Sequence, residues 1–324
     1  MTASLFALPS RGVIAVRGDD RQGWLDGMLS CNVKKLAAGG GAHGLLLTPQ
    51  GRIVCELHVL HRGEELWLET EASAIAGVIA RLEKFVIADD VTLVDLSPSW
   101  VRFALEGEGA QALFAALGGA LPASAHGVAN AQLAGAEVAA ASYGFTHAEA
   151  LQLFAPRASE AALLAALIGA GAQRESAEML ELRRIEAGTP WLGKELDASV
   201  LPAEARLDGI AVALDKGCYT GQEVVARMRS RGRLSHLLVG LRFSDGATPT
   251  LRSPLQGERG EAGSVTSAVR SPRFGAIGLG FVQAPLAEPG TKLRVHGGEV
   301  TVVALPFTRG PLGSDPKGPL PGGA

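Results

Sequence analysis

The chain has 324 residues, 47% of them apolar and 19% charged, with a formal net charge of −3. That length exceeds the usual single core and predicts two or three packed units, while the composition excludes an unfolded chain. The near-neutral balance offers no global attraction to nucleic acid or an acidic membrane. The three cysteines, Cys31, Cys55 and Cys218, are odd in number and far apart. They do not form a disulfide framework or a paired-cysteine zinc signature, so a reducing compartment and no metal site are expected. No N-terminal stretch joins basic residues to a long apolar run, and the longest apolar patch, 161–170, is well short of the roughly 20 residues of a membrane helix. A cytoplasmic protein with no membrane partner is the expectation.

Short apolar runs at 12–16 and 44–47 read as strands, alternating with helical patterns opened by polar residues. A helix starting near Asp20 would bury Trp24, Leu25, Met28 and Leu29 on one face, and another after Ser73 runs through Ile75, Ile79 and Leu82. Residues 52–61 and 65–69 read as a hairpin turning at Arg62-Gly63. Ser97-Pro98-Ser99 breaks the pattern, and a strand at 100–105 and an alanine-rich helix at 111–117 come next. The stretch 118–141 reads as a surface connection with one strand at its end; a strand at 151–154 then leads into a helix capped by Ser159. From His236 onward come five or six short β-type runs without a helix, at 237–243, 264–269, 276–282, 292–296 and 300–307, the pattern of a small closed barrel. The class is therefore α+β. The expected units are a first lobe at 1–97 and 175–235, a second at 98–174, a barrel at 236–307 and a disordered tail at 308–324, rich in Gly and Pro.

The chemistry concentrates in two places. A helix over 177–185 stops at Gly188 and Pro190, which leaves Glu186 in the last turn, where a negative charge opposes the helix dipole at a cost of about 0.3–1 kcal/mol. A solvated glutamate tolerated at a helix end is one reading; a carboxylate accepting hydrogen bonds from a ligand's amino and ring N–H groups is the other. The second place is the run Asp215-Lys216-Gly217-Cys218-Tyr219-Thr220 with the residues up to Arg229. Thr220 and Glu223 have the spacing of a capping box, predicting a helix from just after Thr220 to about Arg229. Cys218 then lies just before a helix N-terminus beside the cation of Lys216, and both would favour thiolate over thiol. Cys31 and Cys55 read as small buried apolar residues. The run Arg227, Arg229, Arg231, Arg233 lacks interleaved aromatics, so it reads as a solvated face rather than a contact for RNA phosphates.

The run from Lys216 to Arg227, with Arg184-Ile-Glu-Ala-Gly188 and Leu201-Pro-Ala-Glu204, resembles the YgfZ family, folate-binding relatives of the glycine cleavage T-protein, or aminomethyltransferase. The likeness extends from Trp24-Leu-Asp-Gly27 to Thr266-Ser267 and Ser271-Pro272. It implies a cloverleaf of two interleaved α+β lobes and a C-terminal barrel around a channel for tetrahydrofolate or a derivative. It further implies Glu186, Tyr219 and Gln222 as folate contacts, and Cys218 with Lys216 as the pair needed for activity. The implied role is accessory, in assembly or repair of iron–sulfur clusters, with client enzymes that include one that thiomethylates tRNA, and with iron–sulfur client or assembly proteins as partners.

One departure bears on the reaction. Where aminomethyltransferases resemble Gly-Gly-Ile-X-Asp-Asp, this chain reads Gly51-Arg52-Ile53-Val54-Cys55-Glu56, so a cysteine replaces the first aspartate. A thiol cannot orient an aminomethyl group as a carboxylate does. A classical aminomethyltransferase is therefore not expected; a folate-dependent aminomethyl- or methyltransferase stands as the alternative, and an RNA-binding module as the second alternative.

Overall fold

The computed structural model describes residues 3–146, 149–244 and 250–307; the tail expected at 308–324 lies outside the described residues. The chain divides into two compact units, Met1–Leu47 with Cys55–Ala177 and Ala211–Thr220, and Thr48–Val54 with Glu178–Ile210 and Gly221–Ala324.

The first unit is built on two sheets. In the six-stranded sheet the order is Gln173–Arg174, Ser4–Ala7, Trp100–Glu106, Ala150–Pro156, Ala136–Ala141, Val128–Leu133. Ser4–Ala7, expected with the first lobe, pairs here antiparallel to Trp100–Glu106. Side chains alternate between faces with a period of two. Leu5, Phe103, Leu105, Leu151 and Leu153 pack on one face against Phe114, Leu163 and Leu167 of the helices Ala110–Ala116 and Glu160–Gly169. The stretch expected to be a surface connection contains a hairpin, Val128–Leu133 paired with Ala136–Ala141. Its two-residue turn, Ala134-Gly135, has positive φ at both positions, the twist that suits a tight hairpin. Its alanines carry little β-propensity, which is why the sequence hid it.

The five-stranded sheet runs Gly41–Leu47, Ile53–His61, Leu66–Glu71, Arg11–Arg17, Thr92–Asp95. Its helices, Arg21–Met28 and Ile75–Leu82, form where the apolar spacing predicts, and Trp24, Leu25, Val78 and Leu82 are buried. The cross-strand pairs His58 with Glu69 and Val13 with Glu69 place Arg11, Glu56, His58 and Glu69 on one polar face. That face meets the second face of the six-stranded sheet. Glu69, fully buried, is ion-paired to Arg11 at 2.5 Å and to Arg102 at 2.6 Å, and it accepts the Tyr143 hydroxyl at 3.0 Å. Trp67 and Phe154 pack beside the cluster with ring centroids 5.5 Å apart.

The second unit holds a closed barrel in the order His236–Phe243, Gly275–Gln283, Gly260–Ser271, Pro254–Gly257, Lys292–Val295, Gly298–Val303. Val239, Leu241, Leu255, Val265, Leu293, Val300 and Val302 fill it. The four-residue strand Pro254–Gly257, bounded by Pro and Gly, is too short to carry a pattern in the sequence. Helix Ala177–Ala187 seats Ile185 against Leu238, Ile277, Leu279 and Val303 of the barrel. Gly188 ends that helix with φ +76°, and a Cβ there would meet Leu305 at 2.9 Å. Among the described residues no helix is long and apolar enough to cross a membrane.

Burial alone would raise the Glu69 carboxyl, but Arg102 and Arg11 outweigh it and hold it at about 2 against an ordinary 4.5. A depressed carboxylate contributes stability that is complete above its unfolded value and lost as pH falls through its folded one. The urea midpoint of the protein should therefore fall between about pH 4.5 and pH 2. In Glu69→Gln that pH dependence should flatten, with a loss of about 3–5 kcal/mol at neutral pH as buried Arg102 loses its carboxylate and Arg11 loses the nearer of its carboxylates.

Candidate functional site

Helix Arg21–Met28 ends at Leu29, and the last carbonyls of any helix lack intrahelical partners. Lys216 supplies one, and meets the carbonyls that follow the helix as well. Its Nζ donates to the carbonyl oxygens of Asp26 at 2.5 Å, Leu29 at 2.8 Å and Cys31 at 2.7 Å, and lies 3.3 Å from the Asp26 carboxylate. Asp26 in turn accepts the N–H groups of Val33 and Lys34. Just upstream, Ser30 Oγ donates to the Ala211 carbonyl and accepts the Leu45 N–H, and the Ala213 N–H donates to the Ser30 carbonyl. The segment before the signature is thus laced to the helix end. Burial pulls the Lys216 ammonium below the ordinary lysine range, opposed by Asp26 and Cys31.

Tyr219 is the second anchor, buried, with its ring 5.1 Å from Lys216 Nζ; burial raises its hydroxyl above the ordinary range. Between the anchors Gly217 and Cys218 face solvent. Cys218 is the one exposed thiol of the three; burial pushes the thiols of Cys31 and Cys55 up to about 12. Two local expectations are corrected. The Lys216 ammonium, expected beside the Cys218 thiol, turns to backbone carbonyls, because a buried ammonium takes the densest cluster of acceptors within reach. The capping box does not form: helix Gln222–Arg231 starts from Gly221 at φ +86° with no side-chain cap, and Glu223 pairs with Arg227 one turn on at 2.6 Å.

Glu186 and Gln222 belong to the second unit. Gln222 is half-buried at the first position of its helix. Glu186 is buried rather than solvated: Ser271 Oγ donates to Oε1 at 2.6 Å and Arg273 to Oε2 at 3.0 Å. The cation offsets the unfavourable helix dipole. One half-turn earlier, Arg184 is fully buried, donating to Glu181, to Glu195 at 2.9 Å and to Ser267 Oγ at 2.8 Å. Glu195 carries no signal in the sequence; its partner lies 11 residues away across a helix end and a turn, a separation without a period.

Cys55, at the position of the substituted aspartate, is fully buried, with Sγ 2.9 Å from Thr70 Oγ1 and bonded to the Glu56 carbonyl at 3.3 Å. Its neighbour Glu56 points to the polar face, where Oε1 lies 3.0 Å from His43 Nε2 and 3.7 Å from His58 Nε2. These three residues escaped the sequence reading, although the Glu-x-His spacing on a strand puts both side chains on one face.

Residues 1–216 match the family described as the GCVT N-terminal domain, and residues 237–308 the glycine cleavage T-protein C-terminal barrel domain. A protein named aminomethyltransferase from Saccharopolyspora erythraea is 31% identical over 95% of this chain and 87% of its own length. Another so named, from Rubrobacter xylanophilus, is 30% identical over 98% of this chain and 86% of its own. The crystal structure of the glycine cleavage system aminomethyltransferase T from Bartonella henselae matches with a TM-score of 0.85 at 23% identity. It covers 95% of this chain and 86% of that one, a likeness of fold: mixed α and β with a C-terminal barrel.

The two signature residues should separate in a denaturation experiment. Lys216→Met strips a buried helix end of its donor and should cost about 2–4 kcal/mol. Cys218→Ala alters an exposed side chain and should stay within about 0.5 kcal/mol of the wild type. Equal losses would refute the anchoring role of Lys216.

Proposed function

This chain belongs to the glycine cleavage T-protein family, and on that premise we propose that it binds tetrahydrofolate and acts through Cys218 as an accessory protein for iron–sulfur cluster assembly or repair, on the YgfZ branch of the family. The observation that carries this reading is an exposed thiol held between two buried anchors, Lys216 and Tyr219, while the aspartate position is occupied by the buried, neutral thiol of Cys55. The first favours chemistry at sulfur; the second removes a carboxylate that aminomethyl transfer would use.

Glu186 fits a pterin. An ionised carboxylate has about four acceptor sites, and Ser271 and Arg273 occupy one on each oxygen, leaving capacity for a ligand's N–H groups. Tyr219 and Gln222 are the further contacts proposed. Bound folate would supply a one-carbon carrier; the protein's part is to orient it through Glu186 and to present the Cys218 thiol. That thiol can hold iron, sulfur or a reactive one-carbon unit only transiently, since both other cysteines are buried. The same assignment makes iron–sulfur client or assembly proteins its partners and the cytoplasm its location.

A second reading, folate-dependent aminomethyl transfer, is favoured by relatives of that name spanning nearly the whole chain. Its test is transfer of a methylene group from a small aminomethyl donor to tetrahydrofolate by the purified protein; sustained turnover would replace the accessory role.

Calorimetric titration with tetrahydrofolate should show binding by the wild type. Glu186→Gln, which keeps the shape needed by Ser271 and Arg273, should weaken it by about ten- to a hundredfold, the equivalent of one charge-assisted hydrogen bond. In cells lacking the protein, Cys218→Ala should fold and yet fail to restore the activity of cluster-dependent enzymes. Full restoration would exclude the thiol from the mechanism.

A further inference from the structure

We propose that His43, Glu56 and His58 form a site for one divalent first-row transition-metal ion. The three residues come from adjacent strands of the five-stranded sheet, and their ligand atoms lie within 4.8 Å of one another. Glu56 Oε1 is 3.0 Å from His43 Nε2 and 3.7 Å from His58 Nε2, so the carboxylate already gathers both imidazoles around one point. Two imidazoles and one carboxylate are the donor set of hydrolytic zinc sites and of non-haem ferrous sites; magnesium and calcium prefer oxygen alone.

Two further observations favour a cation at this place. The two facing sheets bring the carboxylates of Glu56, Glu69 and Glu71 together with the guanidiniums of Arg11 and Arg102. Glu69 takes both guanidiniums at 2.5–2.6 Å, and Glu71 takes Arg11 at 3.1 Å. Of the guanidiniums, Glu56 meets only the distant edge of Arg11 at 4.0 Å, although its side chain is 8% exposed. Its nearer partners are the imidazoles of His43 and His58, and a cation held between them would complete the charge balance of this buried carboxylate. Independently, Nδ1 of His58, on a residue 5% exposed, has no hydrogen-bond partner among the described residues, and its Nε2 stands 3.7 Å from Glu56, so no hydrogen bond to this ring has to break for it to take a metal ion. Buried imidazole nitrogens are seldom left so.

The His43 and His58 rings stack at 4.6 Å and 15°, an arrangement in which their lone pairs run side by side. Capture of an ion therefore requires His43 to turn about its side-chain bonds so that both ring planes meet at the metal. His58 is held by stacking on Tyr143 at 3.7 Å and stays in place. The exchange is a ligand for a hydrogen bond: the Glu56 oxygen facing His43 becomes a metal ligand, and any proton shared between them is released.

The probe is cobalt(II), whose visible d–d absorption reports coordination in place of spectroscopically silent zinc, added without oxygen to full-length protein freed of metal by chelation. One equivalent should bind with a d–d spectrum of nitrogen and oxygen ligation, be displaced by zinc, and raise the melting temperature. His43→Asn, which keeps a polar side chain of smaller volume, should fold by circular dichroism and lose both the spectrum and the thermal shift. Cys218→Ala should retain both. The proposal is overturned if the wild type shows no d–d absorption, if His43→Asn binds as the wild type does, or if the spectrum carries a sulfur charge-transfer band that disappears in Cys218→Ala.

Discussion

A buried ammonium needs acceptors, and a helix C-terminus needs donors; the segment from Lys216 to Tyr219 rests on the single group that meets both needs. Lys216 closes the carbonyls of Asp26, Leu29 and Cys31 and is closed by them. Because the first of these acceptors belongs to a residue 190 positions earlier in the chain, one side chain converts a remote loop into a fixed platform. Ser30 and its bonds to Ala211, Ala213 and Leu45 continue the same seam. What the platform carries outward is Cys218.

The same unit contains a second polar device of a different kind. Where two sheets face each other, apolar contacts would ordinarily suffice, yet Glu69 stands there between Arg11 and Arg102. Such a cluster adds less net stability than apolar packing of equal volume, and its removal in part is severe. It fixes which residues face which: Tyr143 is drawn to Glu69 and stacks on His58, and His58 is thereby set beside Glu56. Burial, reinforced by His43, His126 and the two arginines, keeps His58 well below the ordinary imidazole range, and His126 lies at about 4 through burial and His43. The histidine cluster is a consequence of the charge cluster behind it.

The contrast among thiols and carboxylates shows how burial assigns roles to identical groups. Cys31 and Cys55 are shut in and held as thiols, whereas Cys218 is open to solvent. Glu186 and Glu195 both lie by the same helix end, but Glu195 is enclosed by Arg184 and Ser267. Glu186 has Arg273, a side chain 56% exposed, as its cation. One carboxylate is locked into packing; the other sits behind a movable partner.

Much of this was legible in the amino-acid sequence. Apolar periodicity placed the helices at Trp24 and Ile75, the Ile53–His61 hairpin and most of the barrel strands, since burial on one face is a local pattern. The positions of Gly188 and Cys218 came from helix stops and starts, and the run from Lys216, with 184–188 and 201–204, carried a resemblance of which the wider T-protein family is shown. Tertiary structure alone decided the remainder. The partners of Lys216, the arginines on Glu69 and the assembly of His43 with Glu56 and His58 depend on which distant strands and helix ends come together, and spacing along a chain does not encode that. Likewise the capping box at Thr220 satisfied a local rule and was overridden, because Gly221 reached a left-handed conformation that residues with a Cβ rarely adopt and Glu223 found Arg227 instead.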